Sequence, residues 1–115
     1  MRARLIIFLL LAATSAMPAA GQAERTLNAV ITRGVVLTTP DYEIPITYAP
    51  DGTYSGQLGE TAFQGRWRIE GAQLCASSSM SPTETCTEYP PGMGPGDAFE
   101  VNNPALGRIT VTINP

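Results

Sequence analysis

The sequence predicts an all-β domain: a small antiparallel meander curled into a barrel or sandwich, tied by one disulfide, with a possible short helix ahead of it. Three observations predict this. Extended runs with alternating apolar and polar residues recur along the chain, and turn-forming clusters of Pro, Gly, Asn and Asp separate them at intervals of about 8–12 residues. The chain of 115 residues also carries just two cysteines, behind an N-terminus with the parts of an export signal.

The export signal sets the organisation of the rest. Arg2 and Arg4 precede an apolar run from Leu5 to Ala13, and small residues follow it. That run is too short for a stable membrane anchor, and no Cys follows it to carry a lipid. Processing is expected after Ala23, with Gly21 as the second choice, so residues 1–23 form a signal peptide and 24–115 a single β domain without a membrane anchor. Export places the domain in the periplasm or outside the cell.

Glu24 to Arg33 is ambiguous. Leu27, Val30 and Ile31 have helical spacing, but Gly34 and the β-branched Val35-Val36 follow closely, so a turn of helix or an irregular lead-in precedes a strand near Val35 to Thr39. Pro40-Asp41 breaks it. In the next run Ile44, Ile46 and Tyr48 share one face, and Pro45, which has no N–H to donate, marks an edge strand or one with a free side. Ala49-Pro50-Asp51-Gly52 has the chemistry of a type I turn completed by a left-handed Gly. The hairpin it implies sets Tyr48 against Tyr54, Ile46 against Gly56 and Ile44 against Leu58. Asp51 is read as a turn former. A polar loop through Gly59-Glu60-Thr61 then leads by Phe63 into the central hairpin.

That hairpin runs from Gly65 to Cys75 and holds the only Trp. Trp67 and Ile69 fall on one face and Arg66, Arg68 and Glu70 on the other. With Gly71 supplying a positive φ in a two-residue loop, Leu74 joins the face of Trp67 and Ile69, and Cys75 joins that of the arginines. Trp67, Ile69, Leu74, Tyr48 and Tyr54 are therefore expected to anchor the core. The apolar set is enough to fill one core and leaves little to line a large cavity.

Cys75 and Cys86 are expected to be bridged in an oxidising compartment. The ten residues between them are small and polar, so the bridge is their source of order, worth about 3 kcal/mol on the chain-entropy model. A redox-active or zinc-binding role is disfavoured, since the spacing is not Cys-x-x-Cys and no His or further Cys completes a set. After Cys86, Thr87 to Tyr89 suggests a short strand. Pro90 to Asp97 has three Pro and three Gly in eight residues and reads as an unstructured loop with an exposed Met93. Phe99 to Val101 resumes extended structure, Asn102 to Gly107 turns the chain, and Ile109, Val111 and Ile113 alternate in a last strand that closes the sheet.

Charge narrows the function. Beyond residue 23 there are five arginines, no Lys and ten acids, a net charge of −5, so nucleic acid is a poor partner. The chain has no His, which removes the commonest general base and neutral metal ligand together. The carboxylate pairs that remain (Asp41 with Glu43, Glu84 with Glu88, Asp97 with Glu100) sit in loops or at strand ends and read as solvated surface. No catalytic residue, cofactor or metal is expected, and a monomer is.

Tyr48-Ala49-Pro50-Asp51-Gly52-Thr53, Gly56, Gly65-Arg66-Trp67-Arg68-Ile69, Gly71, Leu74-Cys75 and Cys86 resemble a pattern found in small exported β proteins of proteobacteria whose function is not established. The resemblance covers about a third of the chain and implies a periplasmic β domain with a Cys pair, carrying no functional residues with it. The segment after Cys86 departs from that pattern. A weaker likeness is to the lipocalin-like barrels of bacterial metalloprotease inhibitors, in which an N-terminal arm enters the protease cleft. Here Glu24-Arg25-Thr26-Leu27 would have to be that arm. The expectation is an exported non-catalytic binding or structural module acting on an envelope or secreted partner, with inhibition of a secreted metalloprotease as the alternative.

Overall fold

The computed structural model describes the backbone of residues 19–115 and the side chains from residue 21 onward; the expected signal run before residue 19 lies outside the described residues. One helix, α1 (Ala19–Arg33), precedes eight strands: β1 (Val35–Thr38), β2 (Glu43–Tyr48), β3 (Thr53–Leu58), β4 (Thr61–Glu70), β5 (Gln73–Ser78), β6 (Thr85–Glu88), β7 (Ala98–Asn103) and β8 (Gly107–Ile113). They form a single antiparallel sheet in the order β6-β5-β4-β3-β2-β1-β8-β7. The sheet curls into a nearly closed barrel with the first and last strands paired, Val35 opposite Ile113 and Leu37 opposite Val111. The gap is a seam between β6 and β7, which no ladder joins. Across it Asn103 Nδ2 donates to Thr87 Oγ1 at 3.3 Å, and the rings of Tyr89 and Phe99 meet edge to face at 5.8 Å.

Alternation decides which residues face inward. Val35, Ile44, Ile46, Leu74, Val101, Ile109, Val111 and Ile113 form the buried core together with Leu27 and Val30 of α1. The outward positions of β3 and β4 are mostly Ser, Thr, Gln, Arg and Glu. Among the described residues no helix is long and apolar enough to cross a membrane.

The ambiguous lead-in is a full helix. Ala23, Thr26, Leu27 and Val30 follow the i, i+3, i+4, i+7 rule of one helical face, and all four are buried. Gly34 ends the helix at φ 75°, its N–H donating to the Val30 carbonyl, and the strand starts at the next residue. A Cβ at Gly34 would lie 2.8 Å from the Ile46 carbonyl oxygen, so the turn admits little else.

The turn chemistry is realised where it was local. Tyr48 pairs with Tyr54 and Ile46 with Gly56, but the ladder stops there and the expected pair of Ile44 with Leu58 does not form; Asp51 Oδ1 accepts from the N–H of Thr53 at 3.0 Å and from its hydroxyl at 2.6 Å. Gly71 sits at φ 61° in a two-residue loop that sets Ile69 against Leu74. Gly59-Glu60 is a tight reversal between β3 and β4 rather than a polar loop, because Leu58 pairs directly with Thr61.

Four further expectations about strands, core and loops need correction. β2 is an interior strand between β1 and β3, not an edge. Its ladder with β3 ends at Ile46, one residue short of Pro45, so the missing N–H falls where no bond is required. Ile69 is 41% exposed and is not a core anchor, although it faces inward by parity. It is the last inward residue of β4, and α1 packs against β2 and β8 on the other side of the barrel, which leaves the β4 tip uncovered. Residues 76–78 are not loop: β5 runs on to Ser78, and Ser78 Oγ then accepts from the N–H groups of Met80 and Ser81 to turn the chain. The Pro/Gly segment at 90–97 is tied down, and Met93 is half-buried against the core. Its backbone supplies bonds from Gly92 to the Gln22 carbonyl, from Met93 to Thr26 Oγ1 and from Gly96 to the Ile113 carbonyl.

Trp67, Tyr48 and Tyr54 are partly buried and pack against the core, and Leu74 is fully within it. The indole N–H donates to the Ala49 carbonyl at 3.0 Å, and Tyr48 meets the Trp67 ring edge to face at 6.1 Å.

Candidate functional site

In an up-and-down barrel alternate connections share an end. The β1–β2, β3–β4, β5–β6 and β7–β8 connections gather at one end of this one; α1, the 90–97 segment and the C-terminus gather at the other. The second end is plugged. Leu27 and Val30 enter the barrel from α1, the 90–97 segment bonds to the helix, and Asn114 Nδ2 donates to the Arg33 carbonyl at 3.1 Å.

From the unplugged end a cavity of ≈ 300 Å³ extends into the barrel. Its existence follows from side-chain size. The inward residues of β1 and β2 and Phe63 of β4 are large (Leu37, Ile44, Ile46, Phe63), whereas beyond Leu74 those of β5 and β6 are Ala76, Ser78, Thr85 and Thr87. Small residues on one wall leave space that the opposite wall does not fill. The expectation that little remains to line a cavity is corrected on this point: the volume lies at the lower end of the range for small-molecule pockets, about 300–1,000 Å³. A second cleft outside the seam is nominally larger, ≈ 620 Å³, but it is a polar surface hollow beside Glu88, Glu100 and Arg108. Arg108 there is engaged by Glu100 at 3.3 Å. The barrel interior is the better seat because it is apolar and walled on most sides.

Aromatic side chains shape the wall. The Phe63 ring lies over Gly56, where an added Cβ would come within 2.5 Å of it, and the Tyr54 ring lies over Gly65 in the same way at 2.6 Å. Each glycine thus makes room for the ring of its direct cross-strand partner. Tyr48 lines the cavity deep in the barrel, and burial pushes its phenol well above the usual range, with Tyr89 and Tyr54 beside it adding to the rise. Burial also raises Tyr89, to about 12. Tyr54 is raised by burial too, opposed by its hydrogen bond with Ser78. The tyrosines are therefore neutral hydrogen-bonding groups across the physiological range.

The rim combines hydroxyls with apolar tips. Ser81, Thr83 and Asn103 stand near the mouth with Met80 and Leu106, which are 55% and 52% exposed. Tyr42, in the β1–β2 connection at the same end, is 52% exposed. Three of the four exposed large apolar side chains among the described residues therefore sit on loops around one opening, an arrangement that marks interaction surfaces.

The disulfide is formed. Cys75 and Cys86 are directly opposed on β5 and β6, with Cα atoms 3.9 Å apart, on the outer face as the register requires. Glu84 adjoins the sulfurs, and the three residues would have metal-ligand proximity. The sulfurs are spent on each other, however, and Arg68 takes both Glu84 oxygens, Nε and Nη2 each at 2.8 Å. The Arg68 bond holds the Glu84 carboxyl below its ordinary value. This pair fastens the β5–β6 loop to β4 beside the cavity mouth. The six carboxylates considered from sequence (41, 43, 84, 88, 97, 100) are all exposed, and none lines the cavity.

Sequence reasoning missed the cavity and its rim: the small inward residues that create it lie in a stretch without an apolar pattern. No protein-family model, curated protein or solved structure matches this chain.

Proposed function

We propose that the protein is an exported, non-catalytic binding module, working in the periplasm or outside the cell, that holds a small apolar guest inside its barrel. The observation that carries the reading is the cavity of ≈ 300 Å³, apolar inside, plugged by α1 at one end and open at the other. No His exists in the chain and no carboxylate lines the cavity, which leaves its walls without a strong general base. Export rests on the signal pattern and agrees with the bridged cysteines.

The inhibitor alternative loses its main support. Thr26 and Leu27, half of the required arm, are fully buried in the plug. Packing also bears on processing. Ala23 is buried and the Gln22 carbonyl accepts from Gly92, so cleavage after Gly21 retains contacts that cleavage after Ala23 discards. Intact mass of the secreted protein distinguishes a chain starting at Gln22 from one starting at Glu24.

The binding reading is tested by titrating the folded, bridged protein with phenylnaphthylamine, an apolar dye that brightens on leaving water. Saturable binding is expected, and it should weaken at least tenfold in Ala76→Trp, where the indole fills the cavity. Thr85→Leu, a milder filling, should weaken it in the same direction. A wild-type protein that does not bind, or filled variants that bind equally well, would sink the reading.

A further inference from the structure

We infer that the guest is an uncharged molecule, with an apolar body in the barrel and its hydrogen-bonding groups held near the mouth. This rests on the cavity being the seat of binding and adds the chemical class of what it takes.

The lining has an order to it. Leu37, Ile44, Leu74 and Ile109 supply apolar wall, and Tyr48, Tyr54 and Tyr89 add phenols to it. At the open end Ser78, Thr85 and Asn103, from β5, β6 and β7, face Leu37, Ile44 and Leu58 of β1, β2 and β3, so one side of the mouth offers polar groups and the other does not. Among the described residues, none that lines the cavity carries a charge. A carboxylate or ammonium drawn inside would lose its hydration without finding a counter-ion, a cost of several kcal/mol per ion in proteins. A neutral hydroxyl, carbonyl or amide loses far less, and the mouth hydroxyls of Ser81 and Thr83 are partners for it.

The surroundings of the mouth act in the same direction against anions. Asp41, Glu43 and Glu60 lie on or beside connections at the open end and make no ion pair among the described residues; Glu84, at the same end, is neutralised by Arg68. An approaching fatty acid or sulfonate meets a negative rim before it meets an apolar interior. A cation is drawn to the rim but finds no carboxylate within. Size bounds the guest as well, since the cavity matches about ten waters at their liquid volume of roughly 30 Å³ each.

Two probes that share one skeleton test this: phenylnaphthylamine, which is neutral, and anilinonaphthalene sulfonate, which adds only a sulfonate. The neutral probe should bind the wild-type protein at least tenfold more tightly. Thr83→Arg, at an exposed mouth position, should shift the ratio of the two affinities at least threefold in favour of the sulfonate probe. Equal or tighter binding of the sulfonate by the wild-type protein overturns the inference and leaves the cavity standing as a binding site. A neutral preference that Thr83→Arg does not alter overturns it also, because selectivity would then lie away from the mouth. Binding of neither probe removes the binding reading itself.

Discussion

The backbone N–H of Met93 donates to the hydroxyl of Thr26, 67 residues earlier, at 3.0 Å. That hydroxyl in turn donates to the Gln22 carbonyl one helical turn back at 3.4 Å. One buried side chain thus fixes the Pro/Gly segment to the helix that plugs the barrel. Thr26→Val keeps the shape and strands the Met93 N–H, which should cost about 1–3 kcal/mol. Thr26→Ser keeps the bond and should cost only the lost methyl, about 0.8 kcal/mol. Urea denaturation of the three proteins orders them, and a Val variant as stable as wild type would show that the bond carries nothing.

Trp67 joins the β2–β3 turn to β4 through its bond to the Ala49 carbonyl. Because the ring is only partly buried, Trp67→Ala should cost about 2–4 kcal/mol, near or below the usual range for a buried Trp. Trp67→Phe keeps most of the packing and loses the N–H, an expected cost of about 1 kcal/mol. Denaturant midpoints separate the two, and equal losses would mean that the hydrogen bond, not the ring, dominates.

Reduction of Cys75–Cys86 should destabilise the protein by about 3 kcal/mol. The loss should be uneven. β6 is a four-residue strand with a ladder on one side only, so amide exchange at 85–88 should rise before that of β1 or β8. Uniform acceleration through all eight strands would contradict a local role for the bridge.

Two pH windows follow from the ionisable groups. The Glu84 carboxyl lies below its ordinary 4.5 in the folded state, so its contribution is complete above about that pH and is lost as the pH falls through the lower folded value. Stability measured against Glu84→Gln should therefore exceed the variant at neutral pH, with the gap closing under acid. The pair is exposed and the effect small. At the alkaline end Tyr89 is neutral up to about 12 when folded against 10.0 in the open chain. Its contribution is intact below pH 10 and declines above it, so Tyr89→Phe should flatten the loss of stability between pH 10 and 12.

What the sequence discloses is local. Pro50-Asp51-Gly52 and Gly71 set their hairpins within a few residues, and the pairs they imply, Tyr48 with Tyr54 and Ile69 with Leu74, are found. Burial of Ile69 depended on where α1 crosses the barrel, which parity along β4 does not contain. The helix itself was half visible: Leu27 and Val30 have its spacing, but the fourth member of the stripe, Ala23, coincides with the expected processing point. The cavity was hidden for a similar reason. Ala76, Ser78, Thr85 and Thr87 matter by being small and inward, and in a Ser/Thr-rich stretch that has the look of a loop.

The division between β6 and β7 leaves one line of the container's wall unfastened by main-chain bonds. A barrel stitched all the way round has a diameter fixed by its strands and their stagger. Here the wall is interrupted along one line, where a Thr–Asn contact and two aromatic rings stand in for a ladder. Parting the wall there would cost that contact and the ring pair alone and would leave every strand-to-strand ladder whole, so this line is its least costly place to open.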